Sequence, residues 1–178
     1  MSVDPCSGRD LATRCCIAGG GPAGMLLGFL LARAGVRVTV LEKHADFLRD
    51  FRGDTVHPST LQILDEVGLL PRFEKLRQTR VQQISVQIGG QLQPVIDFRR
   101  LRPFDYVALV PQWDFLDLLA DEAARFPEFD LRMRCEATGL IEERGAVVGV
   151  RARSPEGELA IRADVVVACD GRNSTLRG

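Results

Sequence analysis

Residues 14–24 read Arg14-Cys15-Cys16-Ile17-Ala18-Gly19-Gly20-Gly21-Pro22-Ala23-Gly24, and this stretch decides the fold. Arg14 to Ala18 is a short apolar run ending at glycine, the mark of a buried strand. Pro22 to Ala34 reads as a helix, with a proline in its first turn and Gly35 as its stop. Val36 to Leu41 is a second β-branched run. Strand, glycine turn, helix and strand make a βαβ unit, and its parallel strands need both sheet faces covered. Within the turn, Gly19-x-Gly21-x-x-Gly24 has the spacing that a bound dinucleotide requires. The first glycine permits the tight exit from the strand. The second lets the backbone approach a pyrophosphate, and the third lets helix and strand pack closely. The pyrophosphate then lies at a helix N-terminus, where unpaired N–H groups and the positive dipole end favour an anion. Pro22 and Ala23 belong to the same cradle, and Gly28 extends the close contact between helix and sheet.

The second strand runs into Glu42. A carboxylate about 20 residues beyond such a turn accepts hydrogen bonds from ribose hydroxyls, and it repels a 2′-phosphate. Lys43, which follows it, is counted with it among the expected cofactor contacts. Glycine turns also arise for steric reasons alone, and a lone Glu42 would read as a solvated strand end. The complete βαβ context favours the nucleotide.

The bulk properties exclude several classes. The chain has 178 residues, 46% hydrophobic and 26% charged, with 23 Lys and Arg against 24 Asp and Glu. That length suits one domain, and a net charge of −1 leaves no basic footprint for nucleic acid or an anionic membrane. Apolar stretches such as Met25 to Ala32 are far shorter than a membrane span. Residues 1–11 read as a polar tail rather than a secretory signal. The five cysteines include no Cys-x-x-Cys pair, and there are two histidines, so no metal site is expected. Cys15, Cys16 and Cys169 lie in apolar runs that read as buried strands. The reducing cytoplasm is the expected location.

Further along, His57 to Leu70 has helical periodicity, with Pro58 at its start and Gly68 ending the pattern. Val81 to Ile88, Gly89-Gly90 and Leu92 to Phe98 predict a hairpin exposed on one face. Trp113 to Arg125 predicts an amphipathic helix. Leu131 to Ala137, Gly139 to Glu143, Ala146 to Arg153 and Glu158 to Arg162 suggest an antiparallel meander. Ala163 to Cys169, with Val165, Val166 and Val167, reads as a separate central parallel strand ending at Asp170-Gly171. An NAD-linked dehydrogenase is disfavoured, because it would continue with alternating helices and parallel strands. His57 reads as a polar residue at a helix entrance, and Trp113 as a packing residue.

Three further segments carry a family resemblance: Phe51-Arg52-Gly53-Asp54, Val110-Pro111-Gln112-Trp113, and Ala168-Cys169-Asp170-Gly171-Arg172-Asn173-Ser174-Thr175-Leu176-Arg177. With the glycine turn they make the chain, from about Ala12 to Gly178, resemble the para-hydroxybenzoate hydroxylase-like FAD-dependent monooxygenases. The resemblance implies an α/β, Rossmann-like FAD/NAD(P)-binding fold with a parallel central sheet and an antiparallel strand-rich insertion. It implies FAD as cofactor and NAD(P)H as reductant, with O2 and a small organic substrate, aromatic or otherwise. Arg52 is expected to contact the FAD, Gln112 to reach towards the ribityl chain, and Asp170 and Gly171 to lie near the flavin. No catalytic acid or base is identified, and no oligomeric state is specified. Residues 12–178 are expected to form the N-terminal portion of an FAD-binding domain, with part of a substrate-side antiparallel sheet. The family is about twice this length, and its Gly-Asp motif has no counterpart here. The chain is therefore expected to be a fragment or a truncated relative. A reductase or halogenase of the same fold, and a truncated non-catalytic nucleotide binder, stand as alternatives.

Overall fold

The computed structural model describes residues 11–48 and 55–177. In chain order the elements are β1 (Leu11–Ala18), α1 (Pro22–Arg33), β2 (Val38–Glu42), β3 (Thr55–Val56), α2 (Pro58–Glu66), α3 (Leu70–Phe73), β4 (Thr79–Val81), β5 (Gln83–Ile88), β6 (Gln91–Asp97), β7 (Val107–Leu109), α4 (Gln112–Ala123), β8 (Phe129–Met133), β9 (Glu136–Glu143), β10 (Ala146–Ser154) and β11 (Gly157–Ala168). They fall into two compact units, Met1–Phe47 with Leu119–Gly178, and Leu48–Leu118.

The first unit is built on a six-stranded sheet of order β8-β2-β1-β11-β10-β9. Its first four strands are parallel, and β10 and β9 continue it antiparallel. The expected βαβ unit is present. Every residue of β2 is buried, as a strand covered on both faces requires. Helix α1 buries Met25, Phe29 and Ala32 along one stripe. It lies so near the sheet that a Cβ at Gly28 would stand 2.8 Å from Val40 Cγ2 and 3.0 Å from Phe129 Cε2. One core cluster draws Cys16, Ala18, Leu41 and Ile161 from the parallel strands and Val150 and Ala152 from the antiparallel β10. The meander is thus packed into the parallel core. Burial, reinforced by the nearby Cys15 and Cys135 thiols and Asp130, pushes the Cys16 thiol up to about 12.

Three expectations for this unit need correction. Residues 129–133 belong to a parallel edge strand, β8, paired with β2 from Val38↔Phe129 to Glu42↔Met133, and not to the meander. Alternating periodicity does not encode strand direction, and the connection from β2 to β8 is long enough to return the chain the same way. Glu158 to Arg162 and Ala163 to Ala168 form one strand, because no glycine or proline interrupts them. β11 pairs antiparallel with β10 over its first half and parallel with β1 from Leu11↔Ile161 to Ala18↔Ala168. Its cover is also incomplete among the described residues: Val165 is 55% exposed. Cys169 lies just past the strand and is only partly buried.

The second unit contains a three-stranded antiparallel sheet of order β3-β7-β4 and the hairpin β5-β6. The helix expected over residues 57–70 divides at Gly68 into α2 and α3. His57 is the exposed N-cap residue of α2. Phe73 is fully buried and meets Phe115 edge-to-face at 5.8 Å. Trp113 is half-buried in the first turn of α4. The hairpin turns on Gly89 and Gly90, both at positive φ (58° and 82°), which a two-residue type I′ turn demands. The hairpin is exposed on both faces rather than one. Its alternation does place Ile84, Val86 and Ile88 on one side, but no described residue buries that side. Among the described residues, no helix is long and apolar enough to cross a membrane.

Candidate dinucleotide site

The site grows from the carboxyl ends of β1, β2 and β11, three neighbouring parallel strands. Ligands of open α/β sheets gather beyond such ends. At the end of β1 the chain turns at Gly19, whose φ is +107°, a conformation that side chains other than glycine's rarely adopt. The Gly19 N–H donates to the Leu41 carbonyl at 2.8 Å, tying the turn to β2. On its other side, a Cβ at Gly19 would collide with the Cys169 carbonyl, so β11 also presses against the turn. The Cys169 N–H donates to the Ala18 carbonyl at 2.7 Å.

The three fingerprint glycines are sterically distinct. A Cβ at Gly24 would overlap the Gly19 carbonyl oxygen and stand 3.3 Å from Ile17 Cγ2. This is the close helix–strand approach expected of the third glycine. At Gly21 the opposite holds: a Cβ would meet nothing within 4 Å. Gly21 is the N-cap of α1, with no side-chain cap, no acidic residue in the first turn, and Pro22 opening the helix. The open side of Gly21 and the uncapped helix end suit a dinucleotide pyrophosphate in space and in charge.

Glu42, the last residue of β2, is 8% exposed. Its Oε2 accepts the Gly20 N–H at 3.0 Å. Its Oε1 accepts the His44 N–H at 2.9 Å and lies 2.6 Å from His44 Nδ1. A Cβ at Gly20 would stand 2.8 Å from Glu42 Cβ, so the second residue of the glycine run is also constrained. The Glu42 carbonyl accepts the Cys135 N–H at 2.9 Å, and the His44 carbonyl accepts the Arg134 N–H at 2.8 Å. Arg134 adopts φ 55° at the corner between β8 and β9. Sequence reasoning singled out neither Gly20 nor His44 as a site residue. Gly20 has a legible signal in its triple-glycine run. His44 has none, since its partner is fixed only when the chain doubles back at Glu42.

Beyond β11, Asp170 Oδ2 accepts the Thr175 N–H at 2.7 Å and the Leu176 N–H at 3.3 Å. Partial burial pushes its carboxyl up. Hydrogen bonds from the Ser174 hydroxyl and these backbone groups outweigh that and hold it below the ordinary value. Asp170 therefore organises the segment that follows it.

The fold thus brings Gly19, Gly21, Pro22, Ala23, Gly24, Glu42, Asp170 and Gly171 together at one end of the first unit's sheet. Lys43 is exposed beside Glu42. Gln112 is the first residue of α4, in the second unit. Arg52, with its Phe51 to Asp54 segment, lies outside the described residues.

A parallel sheet with a tight glycine turn, an open helix N-terminus and an acidic strand end defines a dinucleotide-binding α/β protein. More particularly, residues 12–178 match the model of the FAD binding domain family, and the chain belongs to that family. It is 34% identical over 166 residues to a 6-methylpretetramide 4-monooxygenase of Streptomyces rimosus, covering 93% of this chain and 40% of that protein. Among solved structures it resembles p-nitrophenol 4-monooxygenase from Pseudomonas putida DLL-E4, with TM-score 0.81 and 26% identity over 93% of this chain and 42% of that one. It also resembles a myxobacterial chondrochloren halogenase described as FAD-dependent, with TM-score 0.83 and 26% identity over 93% of this chain and 39% of that one. The chain spans 40% or less of the length of the curated relatives named first.

Proposed function

We propose that this chain is the FAD-binding portion of a flavoprotein monooxygenase that uses NAD(P)H and O2 to hydroxylate a small organic substrate. The observation that carries the reading is the open side of Gly21, framed by a turn whose other glycines are closed by neighbouring atoms. Gly21, Pro22, Ala23 and Gly24 would hold the pyrophosphate at the N-terminus of α1. Glu42 would accept hydrogen bonds from the adenosine ribose, with Lys43 at the rim. Asp170 and Gly171 are assigned to the flavin side, and Arg52 and Gln112 are assigned by the family resemblance to further FAD contacts. Bound FAD supplies the redox and oxygen chemistry, while the protein supplies position and a dry environment.

The names of the relatives support monooxygenation: a 6-methylpretetramide 4-monooxygenase and a para-nitrophenol 4-monooxygenase are among them. A reductant of the nicotinamide class accords with one relative named as a probable NADH-specific resorcinol 4-hydroxylase. Four unpaired cysteines among the described residues accord with a reducing compartment such as the cytoplasm. Residues 12–178 would act as one part of the cofactor domain; Leu11, expected in the polar tail, belongs instead to its strand β1, paired with Ile161. Halogenation is the second reading, favoured by the likeness to the chondrochloren halogenase.

The test is a fluorescence titration of FAD with the purified chain. Saturable quenching at micromolar protein is expected. A cooperatively folded chain that leaves FAD fluorescence unchanged at high concentration refutes the reading.

A further inference from the structure

We propose that His44 is a positioning residue for the cofactor's adenosine ribose, acting through Glu42. The inference rests on the dinucleotide reading above and extends it to a residue outside the glycine fingerprint. An ionised carboxylate only accepts hydrogen bonds, so His44 Nδ1, 2.6 Å from Oε1, is the donor in this pair. The His44 N–H reaches the same oxygen at 2.9 Å. One residue therefore engages one carboxylate oxygen twice, while the Gly20 N–H engages the other at 3.0 Å. Together these bonds fix the rotation of the carboxylate about its last side-chain torsion.

His44 is itself held. Its carbonyl accepts the Arg134 N–H, and the Glu42 carbonyl accepts the Cys135 N–H, so the β8–β9 corner clamps the segment at both ends. The ring is nevertheless 46% exposed, so packing is not its main role. A glutamate at the rim of a site loses side-chain freedom when it binds a diol. One already fixed by its neighbours has less to lose, and affinity rises accordingly. His44 pre-arranges the acceptor that reads the ribose hydroxyls.

The experiment compares ADP with 2′,3′-dideoxy-ADP by isothermal titration calorimetry on the whole chain, for wild type, His44→Ala and His44→Asn. The asparagine side chain places an amide N–H near the position of Nδ1. Wild type is expected to prefer ADP by roughly tenfold or more, the value of hydrogen bonds to a charged group. His44→Ala should lower that preference by about three- to tenfold, and His44→Asn should restore most of it. Thermal melts check folding, and His44→Leu replaces any alanine variant that does not melt cooperatively. An unchanged preference in the donor-less variant, equal binding of both ligands by wild type, or failure of a folded His44→Asn to restore the preference overturns the proposal. Wild type that binds neither ADP nor FAD overturns the dinucleotide reading itself.

Discussion

Alanine at Gly21 and alanine at Gly24 should fail in opposite ways. At Gly24 the added methyl meets the Gly19 carbonyl oxygen and Ile17 Cγ2. One obstacle is backbone within a turn pinned to both β2 and β11, so no side-chain rotation relieves it. Helix α1 would have to retreat from β1 by about 1.5 Å to restore ordinary contact. That places the cost at the upper end of overpacking, about 3 kcal/mol. For a chain of this size it corresponds to a fall in Tm of about 6–12 °C. At Gly21 the methyl enters open space, and φ is −72°, which alanine adopts freely. Losing a glycine N-cap costs roughly 1 kcal/mol, and the stiffer unfolded chain returns about 0.4–1 kcal/mol. Stability should therefore change by less than about 0.5 kcal/mol. The same methyl occupies the space assigned to the pyrophosphate, so FAD affinity should fall at least about tenfold, roughly 1.4 kcal/mol. Urea denaturation followed by circular dichroism, paired with FAD fluorescence titration, measures both quantities. Wild-type FAD affinity in Gly21→Ala refutes the placement of the pyrophosphate. Wild-type stability in Gly24→Ala refutes the close packing of helix on strand.

Three other outcomes are expected. The Asp170 carboxyl titrates lower in the folded chain than in the unfolded one. Its contribution is complete above the ordinary value of about 4 and is lost as pH falls through the folded value, so Asp170→Asn should flatten the acid limb of a stability profile measured from pH 6 to 3. Pulse alkylation read by peptide mass spectrometry should label Cys169 first among the four described cysteines. Cys16, with no exposed surface and its thiol raised to about 12, should stay unlabelled until the chain unfolds. Finally, Phe73→Ala should destabilise by about 3–5 kcal/mol. Leu92→Ser, at a side chain 74% exposed on the hairpin, should change stability by less than about 0.5 kcal/mol, and calorimetric melts distinguish the two.

The parts of the fold written in local chemistry were legible in the sequence. The strand, turn and helix at residues 14–33 follow from an apolar run, three spaced glycines and a proline, all acting within a few residues of one another; the start of β1 at Leu11 was not legible. The Gly89-Gly90 hairpin is legible for the same reason. Strand direction is not local. Residues 129–133 alternate as a meander strand would, and pairing with β2 alone makes them parallel. The continuity of β11 was hidden because its two halves face different partners and so carry different patterns. At the candidate site, Glu42 was singled out by its distance from the glycines, and it does lie at the end of β2 against the Gly20 N–H. His44 was not singled out, since its ring matters only through a carboxylate oxygen that the sequence does not orient.

The pairing of β1 with β11 has a mechanical consequence. The Gly19 turn and the Asp170 turn are the ends of adjacent strands, zipped together from Leu11↔Ile161 to Ala18↔Ala168 and closed by the Cys169–Ala18 hydrogen bond. They behave as two prongs of one fork. Their separation is set by interstrand spacing, about 4.8 Å, and widening it would mean unzipping the ladder from its end. Amide protons along this seam should exchange with solvent slowly and together. Any breathing that admits or releases a nucleotide must then come from the tips beyond the prongs.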